Sequence, residues 1–177
     1  MAVELDPMNP LVLALSAMVD EQGRIQQSLE KSKKALDIEP DHSFALNAYA
    51  EAAYLNGEYE SSIEAELKVW PALDEKARKA VIAVFHDKGY VAAVRSMITF
   101  LEEYASTNYL GPFEMGYLYF LVGDLDKSID YYVKAYEIHD PMMPYITLSI
   151  GGFDDIKDDP RIKSIVEEMN LPFEAPE

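Results

Sequence analysis

Residues 112–138 have the sequence PFEMGYLYFLVGDLDKSIDYYVKAYEI. Apolar residues recur at helical spacing on both sides of Gly123, and Asp140-Pro141 follows directly after the stretch. Because a proline cannot continue a helix, the pattern predicts two helices, Pro112–Val122 and Leu125–Ile138, joined by a tight turn. A glycine at this place supplies the left-handed backbone conformation with which many helices end.

The same arrangement recurs around three earlier glycines. Gly23, Gly57, Gly89 and Gly123 are 34, 32 and 34 residues apart, and the turn at Gly89 is shortened. The helix pairs predicted around the first three are Pro10–Gln22 with Ile25–Ile38, Ser43–Asn56 with Tyr59–Val69, and Asp74–Lys88 with Val91–Ala105. Two helices per period of about 34 residues predict an all-α solenoid of four helix pairs.

Each pair is expected to bury one apolar stripe per helix. In the first pair these stripes are Val12, Leu15 and Val19, then Leu29, Ala35, Leu36 and Ile38. The helix Pro112–Val122 differs because it is apolar on both sides, so a further segment must cover its second side. We expect the C-terminal segment to do so, since its own apolar residues also need burial: Ile146, Ile150, Phe153, Ile162, Ile165 and Val166.

The fourth pair carries the motifs Gly116-x-x-Tyr119, Gly123-Asp124, Ser128-x-x-x-Tyr132 and Ala135. In this respect the chain resembles the tetratricopeptide repeat family. The resemblance implies a right-handed superhelix of repeats at residues 9–42, 43–73, 74–108 and 109–141, the third degenerate, followed by a C-terminal capping segment, 142–177. Residues 1–8, including Ala2–Pro7, resemble the end of a preceding repeat, so we expect the chain to begin inside a longer array.

The C-terminal part, residues 109–172, is similar to the end of tetratricopeptide segments in bacterial proteins. Those segments follow a winged-helix DNA-binding domain, an adenylate-cyclase domain or a protein-kinase domain. The resemblance implies that the chain is the regulatory or partner-sensing part of a larger bacterial signalling or transcription-regulating protein, located in the cytoplasm.

Charge and composition limit the possible partners. The chain has 15 Lys and Arg against 32 Asp and Glu, a net charge of −17. Binding to nucleic acid or to an anionic membrane relies on basic side chains, so neither is expected of this segment. A basic or apolar protein or peptide suits the charge better. The longest apolar run, Leu11–Val19, is too short to span a bilayer, and the absence of Cys excludes thiolate chemistry.

No motif in the sequence predicts an enzyme, a metal site or a cofactor. His42, His86 and His139 lie in different repeats without a second histidine at helical spacing. The acidic run Asp154–Asp159 lacks the glycine and the final glutamate of a calcium-binding loop, and Asp159 is instead predicted to cap a helix that begins at Pro160. Ser28-x-x-Lys31 has the spacing of a Ser–Lys pair but no companion motif.

The tetratricopeptide resemblance implies that the first helix of each repeat lines a concave groove. The residues expected to line it are Phe44, Asn47, Glu51, Tyr54, Arg78, Phe85, Glu114 and Tyr117. This aromatic groove with acidic positions predicts binding of an apolar or basic peptide. Three alternatives stay open: a small-ligand sensor whose groove closes on a metabolite, a homodimer formed through exposed repeat ends, and a purely structural role in which the aromatics pack against neighbouring repeats.

Overall fold

The computed structural model describes residues 6–20, 24–147 and 153–172. These residues form ten α-helices and one short 3-10 helix, Met143–Tyr145, with no strand among them. The α-helices are α1 Pro10–Asp20, α2 Ile25–Ile38, α3 Ser43–Leu55, α4 Tyr59–Val69, α5 Glu75–Lys88, α6 Tyr90–Ala105, α7 Pro112–Leu121, α8 Leu125–Glu137, α9 Phe153–Ile156 and α10 Pro160–Glu168. Gly23, Ile150 and residues 1–5 of the expected partial repeat lie outside the described residues.

Seven of the predicted repeat helices, α2 to α8, agree with the structure to within one residue at each end. The predicted partners pack against each other as adjacent pairs, α1 with α2, α3 with α4, α5 with α6, and α7 with α8. The all-α class and the pairing of neighbouring helices are therefore confirmed.

The chain divides into two compact units, Met1–Asp74 and Glu75–Glu177. In the N-terminal unit, α3 packs against α1 and α2 as well as against its own partner α4. In the C-terminal unit, α7 packs between α6 and α8, and α10 packs against α8.

The predicted left-handed glycines are present at three of the turns, with φ angles of 78° at Gly57, 80° at Gly89 and 76° at Gly123. After α7 the amide of Asp124 donates to the carbonyl of Tyr119 at 3.0 Å, which closes the C-terminus of the helix. Gly89 is the single residue between α5 and α6, so the third turn is shortened as predicted.

The burial of α1 differs from the prediction. Val12 and Leu15 are only half-buried, whereas Leu13, Ala14, Ala17 and Met18 are buried. Helix α1 is apolar on nearly all sides, so hydrophobicity alone does not select its inner face. The small side chains of Ala14 and Ala17 allow close packing with α3, and this packing determines which face is buried.

The face of α2 was also only partly predicted. Leu29 and Ala35 are buried as expected, but Ile38 is 38% exposed. The completely buried polar positions are Ser28 and Ser32, and the hydroxyl of Ser32 donates to the carbonyl of Ser28 at 2.7 Å. The hydroxyl of Ser32 is satisfied by the helix itself, so this small polar side chain can replace a larger apolar residue where helices approach closely.

The C-terminal segment buries its apolar side chains against α7 and α8. Ile146, Phe153, Ile162, Ile165 and Val166 form one cluster with residues of these helices, among them Phe113, Ile129, Tyr132 and Ala135. The expected burial of these five residues is confirmed. Phe120 also packs on the cluster, so part of the second apolar side of α7 is covered from within the C-terminal unit.

Polar contacts fix α10 in this position. Asp159 caps α10 as predicted, accepting from the amide of Arg161 at 2.8 Å, with Pro160 as the first helical residue. The Arg161 guanidinium donates to Asp130 of α8 at 2.7 Å, and the Tyr136 hydroxyl donates to Glu168 at 2.8 Å. The interface between α10 and α8 therefore has an apolar centre and polar contacts at its edge.

Candidate functional site

The eight residues expected to line a groove lie on three helices of the two units. Phe44, Asn47, Glu51 and Tyr54 are spaced by three or four positions along α3, which places them on one face of that helix in the N-terminal unit. Arg78 and Phe85 lie on α5, and Glu114 and Tyr117 lie on α7, both in the C-terminal unit.

On α3, Phe44 packs inside its own unit. Its ring is half-buried against two clusters that contain Leu13 and Ala14 in one case and Ala17 and Met18 in the other. For this residue the structural alternative, packing against a neighbouring helix, describes what is observed. Asn47 and Tyr54 are half-buried, and the Tyr54 ring lies 5.8 Å from the ring of Tyr59 across the turn at Gly57.

Glu51 differs most from the expected surface carboxylate, because it is only 6% exposed. Glu66, on the partner helix α4, is 3% exposed. The pKa of Glu66 is raised from 4.5 to about 7. Burial is the largest cause and raises the pKa, a hydrogen bond with the Trp70 side chain lowers it, and the nearby Glu51 raises it. The pair α3–α4 therefore contains a carboxyl group that changes charge near neutral pH.

On α5, Arg78 and Phe85 are both half-buried, and the Phe85 ring meets the His86 ring edge-on at 5.5 Å. This helix buries two residues, Ala77 and Val81, whereas α3 and α7 bury seven residues each. Helix α5 thus leaves more of its side chains partly exposed than α3 and α7 do.

On α7, Glu114 folds back over the start of its own helix. Its carboxylate oxygen Oε2 lies where a methyl group on Gly111 would be, and Asp140 Oδ2 lies 3.7 Å from the same point. Burial raises the pKa of Glu114, its own backbone amide lowers it, and Asp140 raises it. Asp140 in turn accepts from the amides of Phe113 at 3.4 Å and Met142 at 2.9 Å.

This geometry gives Glu114 and Asp140 a structural function at the N-terminus of α7, where carboxylates are stabilised by exposed amides. Tyr117, one turn later, is half-buried. Part of the Tyr117 side chain is accessible, but its hydroxyl oxygen is buried.

The two residues with the Ser–Lys spacing lie in different environments. Ser28 is completely buried, and Lys31 donates instead to the hydroxyl of Ser16 on α1 at 2.7 Å. Within residues 6–20, 24–147 and 153–172, no three His, Asp or Glu side chains are grouped so that they could hold a metal ion. None of the described helices is both long enough and apolar enough to cross a membrane.

Two features of the N-terminal unit were not predicted from the sequence. One is the buried Glu66; its signal was the series Ser62, Glu66 and Trp70, at intervals of four residues on one face of α4 and its end. The other is a cleft of about 230 Å³ between α2, α3 and α4, which no single motif marks because its walls come from three helices. Its lining residues are Leu36, Asp37, Pro40, Leu46, Tyr49, Ser61, Glu64, Ala65 and Lys68.

Comparisons with known proteins do not assign the chain to a family. No family model matches the sequence, and no curated protein shows significant similarity to it. The candidate site consequently has to be interpreted from its own geometry.

Proposed function

We propose that the chain is a tetratricopeptide-type array of helix pairs that binds a protein or peptide and has no catalytic activity of its own. The repeated unit is supported by the four adjacent helix pairs and by the left-handed glycines at the same place in three of them. It is also supported by Gly116 and Tyr132, the small residue and the aromatic of the fourth repeat, which lie directly against each other.

The observation that carries the binding proposal is the difference between the two sides of α3. One side contributes Ala45, Leu46, Ala50 and Ala53 to the apolar core. The other side presents Asn47 and Tyr54, which are half-buried and combine an apolar or planar surface with a hydrogen-bonding group. Tyrosine is enriched in protein–protein interfaces, which supports Tyr54 as a contact residue.

The partner that suits this surface is an apolar or basic segment of a protein. A net charge of −17 attracts basic segments and repels nucleic acids. We further propose, from the resemblance of residues 109–172, that the array regulates a larger bacterial signalling or transcription-regulating protein in the cytoplasm. The same surface would serve a small-ligand sensor, which is the alternative function.

A binding measurement on the ¹⁵N-labelled chain tests the proposal. The probes are an acetylated and amidated 12-residue peptide of Leu and Lys, a matched peptide of Leu and Glu, and a mixture of small metabolites. We expect the Leu/Lys peptide to shift the amide resonances of α3 around Asn47 and Tyr54. Asn47→Ala and Tyr54→Ala should each weaken this binding, whereas Glu30→Ala, at an exposed position of α2, should not.

Other binding results would contradict the proposal or favour the alternative function. Equal binding of the Leu/Glu peptide would contradict the basic partner, and saturable shifts with metabolites alone would favour the sensor. Assays for hydrolase, transferase and cyclase activity on the purified chain complete the test. A turnover that changes with Glu51→Ala or Glu114→Ala would overturn the non-catalytic proposal.

A further inference from the structure

The cleft between α2, α3 and α4 is lined on α3 by residues other than the predicted groove residues. Its α3 residues are Leu46 and Tyr49. At 100° per residue, Tyr49 points about 140–160° away from Asn47, Glu51 and Tyr54 on the helical wheel, and Leu46 points about 80–140° away from them. The cleft and the predicted groove residues of α3 are therefore separate surfaces of the same unit.

The floor of the cleft is apolar and its rim is charged. Leu46 and Ala65 are each 4% exposed, and Leu36 is half-buried beside them. The exposed carboxylates of Asp37 on α2 and Glu64 on α4 stand on the rim, together with the ammonium group of Lys68. The rim thus has two negative charges and one positive charge.

The size of the cleft limits what it can hold. Its volume of about 230 Å³ is below the range of about 300–1,000 Å³ that is usual for small-molecule sites. It is sufficient for one apolar side chain. The ring of Tyr49 also attracts a cation within the chain, since Lys33 Nζ lies 5.6 Å from its centre.

We propose that this cleft binds a segment of a partner protein that presents one apolar side chain next to a Lys or Arg. The apolar side chain enters between Leu36, Leu46 and Ala65. The basic side chain is attracted by the carboxylates of Asp37 and Glu64, and its local charge complements the net negative rim. This surface is independent of the face of α3 that carries Asn47 and Tyr54.

The test uses three acetylated and amidated pentapeptides with the full-length ¹⁵N-labelled chain: Gly-Lys-Leu-Lys-Gly, Gly-Lys-Ala-Lys-Gly and Gly-Glu-Leu-Glu-Gly. The first should give saturable shifts of the amides of Tyr49, Ser61 and Ala65. Replacing Leu by Ala in the peptide should weaken binding at least about tenfold, because the anchor loses most of its buried apolar surface. The Glu peptide should bind still more weakly.

Charge variants of the protein distinguish the cleft from a general attraction to an acidic chain. Glu64→Lys should weaken the Gly-Lys-Leu-Lys-Gly peptide about fivefold, and Lys68→Glu should strengthen it by a similar factor. Asp37→Lys should also weaken it, whereas Glu30→Lys, an exposed change on the same helix outside the cleft, should have no effect. All four positions are exposed, so the variants are expected to fold.

A second test fills the cleft with a large side chain and leaves the charge of the protein unchanged. Ser61→Trp should abolish the shifts while leaving the rest of the spectrum unchanged, because Ser61 lies on the wall of the cleft. Equal effects of Glu30→Lys and Asp37→Lys would overturn the proposal, as would shifts confined to Asn47 and Tyr54. The last result would support the face of α3 described under the proposed function and leave the cleft without a ligand.

Discussion

The glycine at position 116 is required by the ring of Tyr132. A Cβ atom added to Gly116 would lie 2.8 Å from Cε1 and 3.0 Å from Cδ1 of that ring. Tyr132 is completely buried, so its ring has little freedom to move away. This contact is a physical reason for a residue without a side chain at position 116.

We therefore predict that Gly116→Ala destabilises the chain, although alanine favours helices more than glycine. The steric overlap should destabilise the folded chain by about 1–3 kcal/mol. The better helix propensity of alanine should offset up to about 1 kcal/mol of this loss. Urea unfolding of the variant and of the wild-type chain measures the difference. In a Tyr132→Leu background the cost should largely disappear; an unchanged cost would contradict the explanation.

The buried Glu66 predicts how stability depends on pH. Its pKa is about 7 in the folded chain against 4.5 as the ordinary value, so the folded state binds the proton more tightly than the unfolded state. Its contribution to stability is therefore fully present below pH 4.5 and is lost as the pH rises to about 7. The charged groups of α4 other than Glu66, namely Glu60, Glu64 and Lys68, are exposed, and Glu51 faces it from α3.

We predict that Glu66→Gln removes this pH dependence. The free energy of unfolding of the variant, relative to wild type, should increase by about 3 kcal/mol between pH 4.5 and pH 8. Urea unfolding at several pH values in this range measures it. Glu64→Gln, at an exposed position of the same helix, is the control and should run parallel to wild type. Parallel curves for Glu66→Gln and wild type would show that the pKa of Glu66 is not raised in the folded chain.

At the level of the helices, three of them end in the same way, with a left-handed residue directly after the last turn, but the residue type differs. Gly123 ends α7 with a φ of 76°, and His139 and Asn170 hold the same left-handed conformation after α8 and α10, with φ of 57° and 53°. The following amides close each motif, for example Asp140 to the carbonyl of Ala135 at 2.9 Å. A residue with a side chain adopts this conformation at a cost that glycine avoids.

Reciprocal substitutions test this explanation. Gly123→Ala should destabilise by about 1–2 kcal/mol, and since a Cβ at this position meets no atom within 4 Å, the cost comes from the backbone alone. His139→Gly should stabilise by up to about 1 kcal/mol. Thermal unfolding of both variants measures the two effects. If Gly123→Ala leaves stability unchanged, the turn does not depend on the left-handed conformation.

The sequence predicted the helices well because their ends are marked by local chemistry. Proline, glycine and a capping Asp define α7, α8 and α10 without reference to the rest of the chain. It failed where two faces of one helix are equally apolar: in α1 the expected Val12 and Leu15 are half-buried, and Leu13 and Ala14 fill the core. The choice between such faces depends on packing between helices, which periodicity does not contain.

The candidate site was harder to predict for the same reason. The tetratricopeptide resemblance implied that Phe44 and Glu51 line a concave groove, but Phe44 packs on α1 and Glu51 is buried. Glu114 was predicted as a groove carboxylate, and it instead folds toward Asp140 at the start of its helix. Residues far apart in sequence decide the environment of each of these side chains.

At the scale of the whole molecule, the proposed repeat array makes a prediction about cooperativity. In such an array each repeat contacts only its neighbours, so damage at one end spreads weakly. Helix α5 buries only Ala77 and Val81, so we expect a loss of stability on one side of it to have little effect on the other side. The chain has one tryptophan, Trp70, which is buried in the N-terminal unit and reports on the folding of that unit.

The variant Ile162→Ala destabilises the C-terminal unit, which does not contain Trp70. Ile162 is completely buried in the cluster formed by α10 and α8, so its truncation should cost about 2–5 kcal/mol locally. We expect the helical circular dichroism signal to fall at lower urea concentrations while the midpoint of Trp70 fluorescence changes little. Glu167→Ala, exposed on the same helix, should alter neither signal. Equal shifts of both signals by Ile162→Ala would mean that the molecule unfolds as one cooperative body, which a short-range array with a weak third repeat should not do.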